Sequence, residues 1–69
     1  MDSNKKDLET LKVLLVHWVN HNKSHQEKFD EWVERSSELG KEEVSEYIKK
    51  ASEYIDKANE MLMEAKKNM

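Results

Sequence analysis

The chain has 69 residues, 39% of them Asp, Glu, Lys or Arg, and a formal net charge of −3 at pH 7. It has no cysteine, no proline and one glycine, which excludes disulfides, Cys-ligated metal centres, thiol catalysis and glycine-rich phosphate loops. The length predicts one domain over residues 1–69, and the acidic balance predicts no nucleic-acid partner and no anionic membrane.

A 3-4 repeat of mostly apolar residues runs through the first half of the chain. This spacing is typical of the a/d seam of an α-helix and predicts helix one over about residues 4–39. Ser3 or Asn4 is expected to cap its start, and Gly40 to end it. The members of the predicted seam are Leu8, Leu11, Leu15, Trp18, Asn22, His25, Phe29, Trp32, Ser36 and Leu39.

The same spacing resumes directly after Gly40 and predicts helix two over about residues 41–67. Its acidic first turn and its lysines in the last turn match the helix dipole. Because the connection is very short, the two helices are expected to fold back as an antiparallel hairpin, so the predicted fold class is all-α. The predicted seam of this helix is Val44, Ile48, Ala51, Ile55, Ala58, Leu62 and Ala65.

A turn at Gly40 also predicts the register of the hairpin. Large side chains of helix one then lie opposite alanines of helix two, which permits close approach of the two helices. The expected pairs are Phe29 with Ala51, Asn22 with Ala58, Leu15 with Ala65, and Trp32 with Ile48.

Two helices cannot cover all of the apolar surface that the sequence provides. Residues 13–19 make helix one apolar nearly all round, and residues 61–63 add to this patch from helix two. The patch predicts self-association, most simply a homodimer in which two hairpins form a four-helix bundle. The alternative is that the apolar N-terminal half of helix one docks on a different helical protein.

The three histidines, His17, His21 and His25, lie at positions i, i+4 and i+8 of helix one. Four-residue spacing brings side chains together on one helix face, and two such imidazoles can chelate a divalent ion. We therefore predict a zinc, nickel, cobalt or copper site, with His21 and His25 as the central pair. His17 would contribute through a second chain or a second site. The alternative is a structural layer in which buried, neutral histidines and Asn22 form hydrogen bonds.

The segment from His17 to His25 reads H-W-V-N-H-N-K-S-H and is followed by Phe29 and Trp32. It resembles a small group of uncharacterised prokaryotic helical-hairpin proteins that carry an H-W-x-x-H-N-x-x-H signature. The resemblance covers about residues 8–65. It implies a helical hairpin in which His17, Trp18, His21, Asn22 and His25 act as one unit.

The sequence thus predicts a small intracellular metal-binding protein for storage, delivery or sensing, or else a helical interaction module without metal. No catalytic activity is expected, since the H-E-x-x-H motif is absent and no Glu lies three residues before a histidine. Neither a signal peptide nor a transmembrane segment is predicted, so the expected location is the cytoplasm.

Overall fold

The computed structural model describes residues 2–69, with side chains described from Asn4 onward. Helix α1 spans Asp2–Glu38 and helix α2 spans Glu42–Lys67, and the described residues contain no strand. The helices pack along each other as an antiparallel hairpin that measures 57 × 16 × 12 Å. The predicted all-α class is confirmed, and the predicted helix ends agree with the observed ones to within two residues.

The prediction for the start of α1 is wrong. The helix begins at Asp2, so Ser3 and Asn4 lie within its first turn and neither is the residue that precedes it. At the other end, the prediction for Gly40 is confirmed, because this residue has a φ of 78°. The Lys41 amide donates to the Ser36 carbonyl and the Gly40 amide to the Ser37 carbonyl, both at 2.9 Å. This pair of hydrogen bonds is a Schellman motif.

We expect Gly40→Ala to lower the free energy of unfolding by about 1–2 kcal/mol, the cost of a left-handed backbone for a residue with a Cβ. An added Cβ would meet no atom within 4 Å, so the loss should come from the backbone alone. Denaturant unfolding at fixed protein concentration measures it. Lys41→Ala is the control, because Lys41 has negative φ and its side chain makes no cap hydrogen bond. Equal stability of the two variants would contradict this account of the turn.

The interface between the two helices is a narrow seam in which apolar and polar residues alternate in about equal numbers. The buried and half-buried positions of α1 are Leu15, Val19, Asn22, Gln26, Phe29, Val33, Ser36 and Ser37. In α2 they are Ser45, Ile48, Ala51, Ser52, Ile55, Asn59 and Leu62. Leu15 and Val19 are the only fully buried hydrophobic residues among those described, whereas four polar residues are buried to the same extent.

The predicted seam is correct at some positions and wrong at others. Residues 15, 22, 29 and 36 face α2 as predicted, but Trp18, His25 and Trp32 do not, and Val19, Gln26 and Val33 take their places. The same shift of one residue occurs in α2, where Ser45, Ser52 and Asn59 replace Val44, Ala51 and Ala58 at the most buried positions. Small polar residues therefore occupy the most buried positions of α2, and Trp18 and Trp32 of α1 lie beside the seam.

The predicted register is close to the observed one. Phe29, Trp32, Ile48 and Ala51 line one shallow groove, in agreement with two of the predicted pairs. Asn22 pairs with Asn59 and not with Ala58, since its Nδ2 donates to Asn59 Oδ1 at 3.0 Å. The turn at Gly40 therefore sets the register to within about one residue.

Hydrogen bonds from small polar side chains hold the seam together. Ser45 Oγ donates to the Val33 carbonyl at 2.6 Å, and Ser52 Oγ donates to Asp30 Oδ1 at 2.7 Å. Gln26 Nε2 donates to Asp56 Oδ1 at 2.6 Å and to the Ser52 carbonyl at 3.2 Å. Every buried side-chain nitrogen and oxygen in the described part of the chain has a partner. The two helices are thus joined by specific polar contacts that fix their alignment.

Candidate functional site

An exposed apolar face lies along one side of the hairpin. Trp18, His25 and Trp32 are seven residues apart, so they form one line along α1. Trp32 shares a groove with Ala51, which places this line on the side of α2 that also carries Tyr47 and Tyr54. We define the apolar face by its large exposed residues, which are Leu11, Leu14, Trp18, Trp32, Leu39, Val44, Tyr47 and Tyr54.

The two tryptophans show how much of this face remains open. Trp18 is 40% exposed and Trp32 is 44% exposed, although Arg35 lies over the Trp32 ring at 4.7 Å. The other side of the seam is charged, because Asp30 and Asp56 lie along it and bind Ser52 and Gln26. The hairpin is therefore amphipathic as a whole, with one apolar side and one charged side.

Near the free end of the hairpin, apolar residues also occur away from the apolar face. Val13 is 68% exposed, and Val16 lies beside it in a groove lined by His17 and Lys66. The prediction that this part of α1 is apolar nearly all round is thus confirmed. Val13 and Val16 thus form a second exposed apolar group that is separate from the apolar face.

The total exposed area is large for a chain of this size. The hairpin exposes 5856 Å², whereas a compact folded monomer of 8.2 kDa exposes about 4,500 Å². The excess of about 1,300 Å² exceeds the roughly 800 Å² that each partner buries in a standard protein–protein interface. The elongated hairpin of 57 × 16 × 12 Å therefore exposes more surface than a compact monomer of the same mass.

The histidines lie on the surface of α1, and two of them converge. The Nε2 atoms of His21 and His25 are 2.9 Å apart, and their ring centroids are 4.5 Å apart at an interplanar angle of 83°. His17 is stacked on His21 with a centroid distance of 6.1 Å and does not join this pair. The structure thus brings together His21 and His25, the two histidines predicted as the central pair, and the metal site itself stays a prediction.

The expected position of His25 on the seam is wrong. Its side chain is exposed, and Gln26 occupies the corresponding place between the helices. Among residues 2–69, no group of three or more His, Asp or Glu side chains is arranged to hold a metal ion. No carboxylate of α2 therefore completes a site with the histidine pair in one chain.

Two imidazoles in this arrangement have two chemical uses. Without a metal, one Nε2 donates a hydrogen bond to the other, as the distance of 2.9 Å allows. With a metal about 2.1 Å from each nitrogen, the same separation corresponds to an angle of about 90° at the ion. That angle suits neighbouring ligands of a square-planar or octahedral ion, and tetrahedral zinc needs the nitrogens to spread to about 3.4 Å.

Sequence reasoning missed the residues that hold the helices together. Ser45, Ser52 and Asn59 are spaced by seven residues, a signal that is visible in the sequence. It escapes a search for apolar repeats, because serine and asparagine do not contribute to such a pattern. Asn22 was recognised on the seam, but its partner Asn59 was not.

The fold and the surface define an amphipathic two-helix hairpin with a paired-histidine cluster on one helix. Residues 11–69 match the family described as Domain of unknown function (DUF8180), and the chain belongs to that family. Comparison with curated proteins and with solved structures gives no match. The resemblance to hairpin proteins with the H-W-x-x-H-N-x-x-H signature stays a prediction. Neither α1 nor α2, as described, is long and apolar enough to cross a membrane.

Proposed function

We propose that this protein is a small helical assembly module in which two hairpins pair through their apolar faces and form a homodimeric four-helix bundle. The observation that carries the proposal is the exposure of Trp18, Trp32 and their apolar neighbours beside a seam whose most buried positions are mainly polar. Apolar stripes on two adjacent helices are the usual contact surfaces of a four-helix bundle.

A second copy is the occupant that the surface favours. The excess exposed area of about 1,300 Å² is enough for an interface of standard size on each copy. The apolar face runs nearly the whole length of the hairpin, from Leu11 beside the free ends to Leu39 at the turn. A hairpin of the same length covers this face completely, whereas a short peptide would leave part of it open.

Sedimentation equilibrium of the parent and of Trp32→Glu tests the proposal. We expect the parent to sediment at twice the chain mass of 8.2 kDa. Placing a carboxylate in the centre of an apolar contact should weaken dimerisation at least 100-fold, or about 2.7 kcal/mol. Asn20→Glu is the matched control, because it adds the same charge at an exposed position of α1 that lies off the apolar face.

Three results would overturn the proposed dimer. A parent that stays monomeric at about 100 µM would leave a different helical protein as the occupant of the apolar face. A Trp32→Glu variant that dimerises like the parent would show that another surface forms the contact. Equal weakening by Asn20→Glu would assign the effect to net charge.

The convergence of two histidines favours a second candidate function. This function is the binding of a divalent transition metal for storage, delivery or sensing. His21 and His25 place their Nε2 atoms 2.9 Å apart on an exposed helix surface. Competition of Ni²⁺ or Zn²⁺ against a coloured chelator tests this candidate. We expect His21→Ala to reduce metal affinity at least tenfold and His17→Ala to leave it nearly unchanged, and equal effects of the two variants would contradict the assignment.

A further inference from the structure

We infer that the His21–His25 pairs of two hairpins bind one divalent transition-metal ion between them, and that the two hairpins are antiparallel in this dimer. The inference rests on the proposed pairing of the apolar faces. It adds to that pairing a ligand set that neither copy has alone and an orientation that the ligand set requires.

The histidine pair lies at the centre of the apolar face. Along α1 this face extends from Leu11 to Leu39, and its midpoint falls at residue 25. His21 and His25 are therefore within about 6 Å of the midpoint along the helix axis. His25 also lies on the same line as Trp18 and Trp32, so its ring is on the side that a second copy would cover.

Symmetry then brings two histidine pairs together. When two hairpins overlap fully and a two-fold axis runs across their length, α1 of one copy packs antiparallel on α1 of the other. Residues near the centre of the face meet their own counterparts under this symmetry. Helix axes in such contacts are 8–10 Å apart, a separation that histidines facing each other across the interface can bridge through a shared ion.

A parallel arrangement of the two hairpins does not bring the two histidine pairs together. A two-fold axis along the length of the hairpin places α1 of one copy against α2 of the other, so the two histidine pairs lie on diagonally related helices. The pair would then face the surface of α2 that carries Tyr54. A shared ion therefore selects the antiparallel dimer.

The chemistry of the pair also indicates a shared ion. One chain provides two imidazoles but no third His, Asp or Glu in the described residues, whereas structural metal sites commonly use four ligands. A second copy brings the number of imidazoles to four without any new residue. All-imidazole ligand sets suit Zn²⁺, Ni²⁺, Cu²⁺ and Co²⁺. Surrounding apolar side chains would exclude water from the ion and strengthen its bonds to nitrogen.

Native mass spectrometry of the full chain with Ni²⁺ and with Zn²⁺ tests the stoichiometry. We expect one ion per two chains and a dimerisation constant at least tenfold tighter with metal, because binding and assembly are linked. His21→Ala and His25→Ala should each abolish this tightening, while the metal-free dimer persists. His17→Ala is the matched control and should behave like the parent, since its ring lies outside the converging pair.

A spin label at position 38 tests the orientation. The chain has no cysteine, so Glu38→Cys gives a single labelling site at the turn end of α1. Residue 38 is about 15 residues from the histidine pair, which is about 22 Å along the helix at 1.5 Å per residue. In the antiparallel dimer the two labels point to opposite ends, so their backbones lie about 45 Å apart. In the parallel dimer they lie within about 25 Å of each other. Pulsed electron paramagnetic resonance of the metal-loaded dimer separates these two distances.

The outcomes distinguish this inference from the proposed dimer. A parent dimer that binds no metal, or one ion per chain, overturns the shared site and leaves the assembly intact. A distance within about 25 Å between the two labels overturns the antiparallel arrangement and also leaves the assembly intact. A parent that is monomeric with and without metal overturns both. Binding of metal by Trp32→Glu at the parental affinity would also contradict a site that needs the second copy.

Discussion

Leu15→Ala is expected to lower the free energy of unfolding by about 2–5 kcal/mol, the range found when a buried leucine is truncated. Leu15 is only 4% exposed, and with Val19 it forms the fully buried apolar part of the described hairpin. A domain of this size has a total stability of about 3–10 kcal/mol. The substitution should therefore remove a large share of the stability and lower the midpoint of thermal unfolding.

Leu8→Ala provides the matched control for this prediction. Leu8 lies seven residues before Leu15 and on the same line of α1, but it is 55% exposed. The same chemical change there should cost less than about 1 kcal/mol, because little surface is removed from contact. Far-UV circular dichroism in denaturant, at one protein concentration, measures both variants. Similar losses at the two positions would show that the seam does not have its core at Leu15.

Asn22→Ala should lower the free energy of unfolding by about 1–3 kcal/mol, because it leaves the Oδ1 atom of Asn59 without its hydrogen-bond donor. Asn59 is 7% exposed, and the Asn22–Asn59 hydrogen bond of 3.0 Å joins the two helices about halfway along α1. A double-mutant cycle with Asn59→Ala isolates the energy of the pair. Additive losses in the double variant would contradict a direct interaction between the two side chains.

Replacing both asparagines with leucine should have a different effect. Asn22→Leu combined with Asn59→Leu removes both polar groups together, so stability should be unchanged or higher. The expected cost is specificity, because a polar pair on a seam fixes alignment and the number of helices that associate. Sedimentation velocity should show a mixture of assemblies for this double variant and one species for the parent. A single species of parental size would show that the other polar contacts fix the alignment alone.

The sequence was sufficient to predict the two helices, the turn and the approximate register. The 3-4 repeat is a strong helix signal, and Gly40 is the one residue that takes a positive φ without strain, as its value of 78° confirms. These features depend on local chemistry and on spacing, so they are readable without knowledge of the packing.

The contact surface between the helices was harder to predict, because apolar periodicity shows which side of a helix avoids water but not what covers it. Trp18 and Trp32 follow the repeat, yet they remain exposed beside the seam, whereas Ser45 and Ser52 of α2 are buried in it. Ser45 illustrates the reason, since its hydroxyl donates to a backbone carbonyl of α1 and fits where a valine would hold the helices apart. The spacing placed all three histidines on one helix face, but His17 and His21 share the spacing of His21 and His25 and do not converge, so the side-chain rotamers decide which pair meets.

The seam also has a thermal consequence. Heat capacity changes scale with the apolar surface that is exposed to water, and the contact between α1 and α2 buries few apolar side chains fully. Separating the two helices should therefore change the heat capacity little, so the free energy of the contacts made by Ser45, Ser52 and Asn59 should show little curvature with temperature and little loss on cooling. Apolar contacts weaken on cooling. Chilled solutions should thus loosen whatever covers the apolar face before they disturb the hairpin itself.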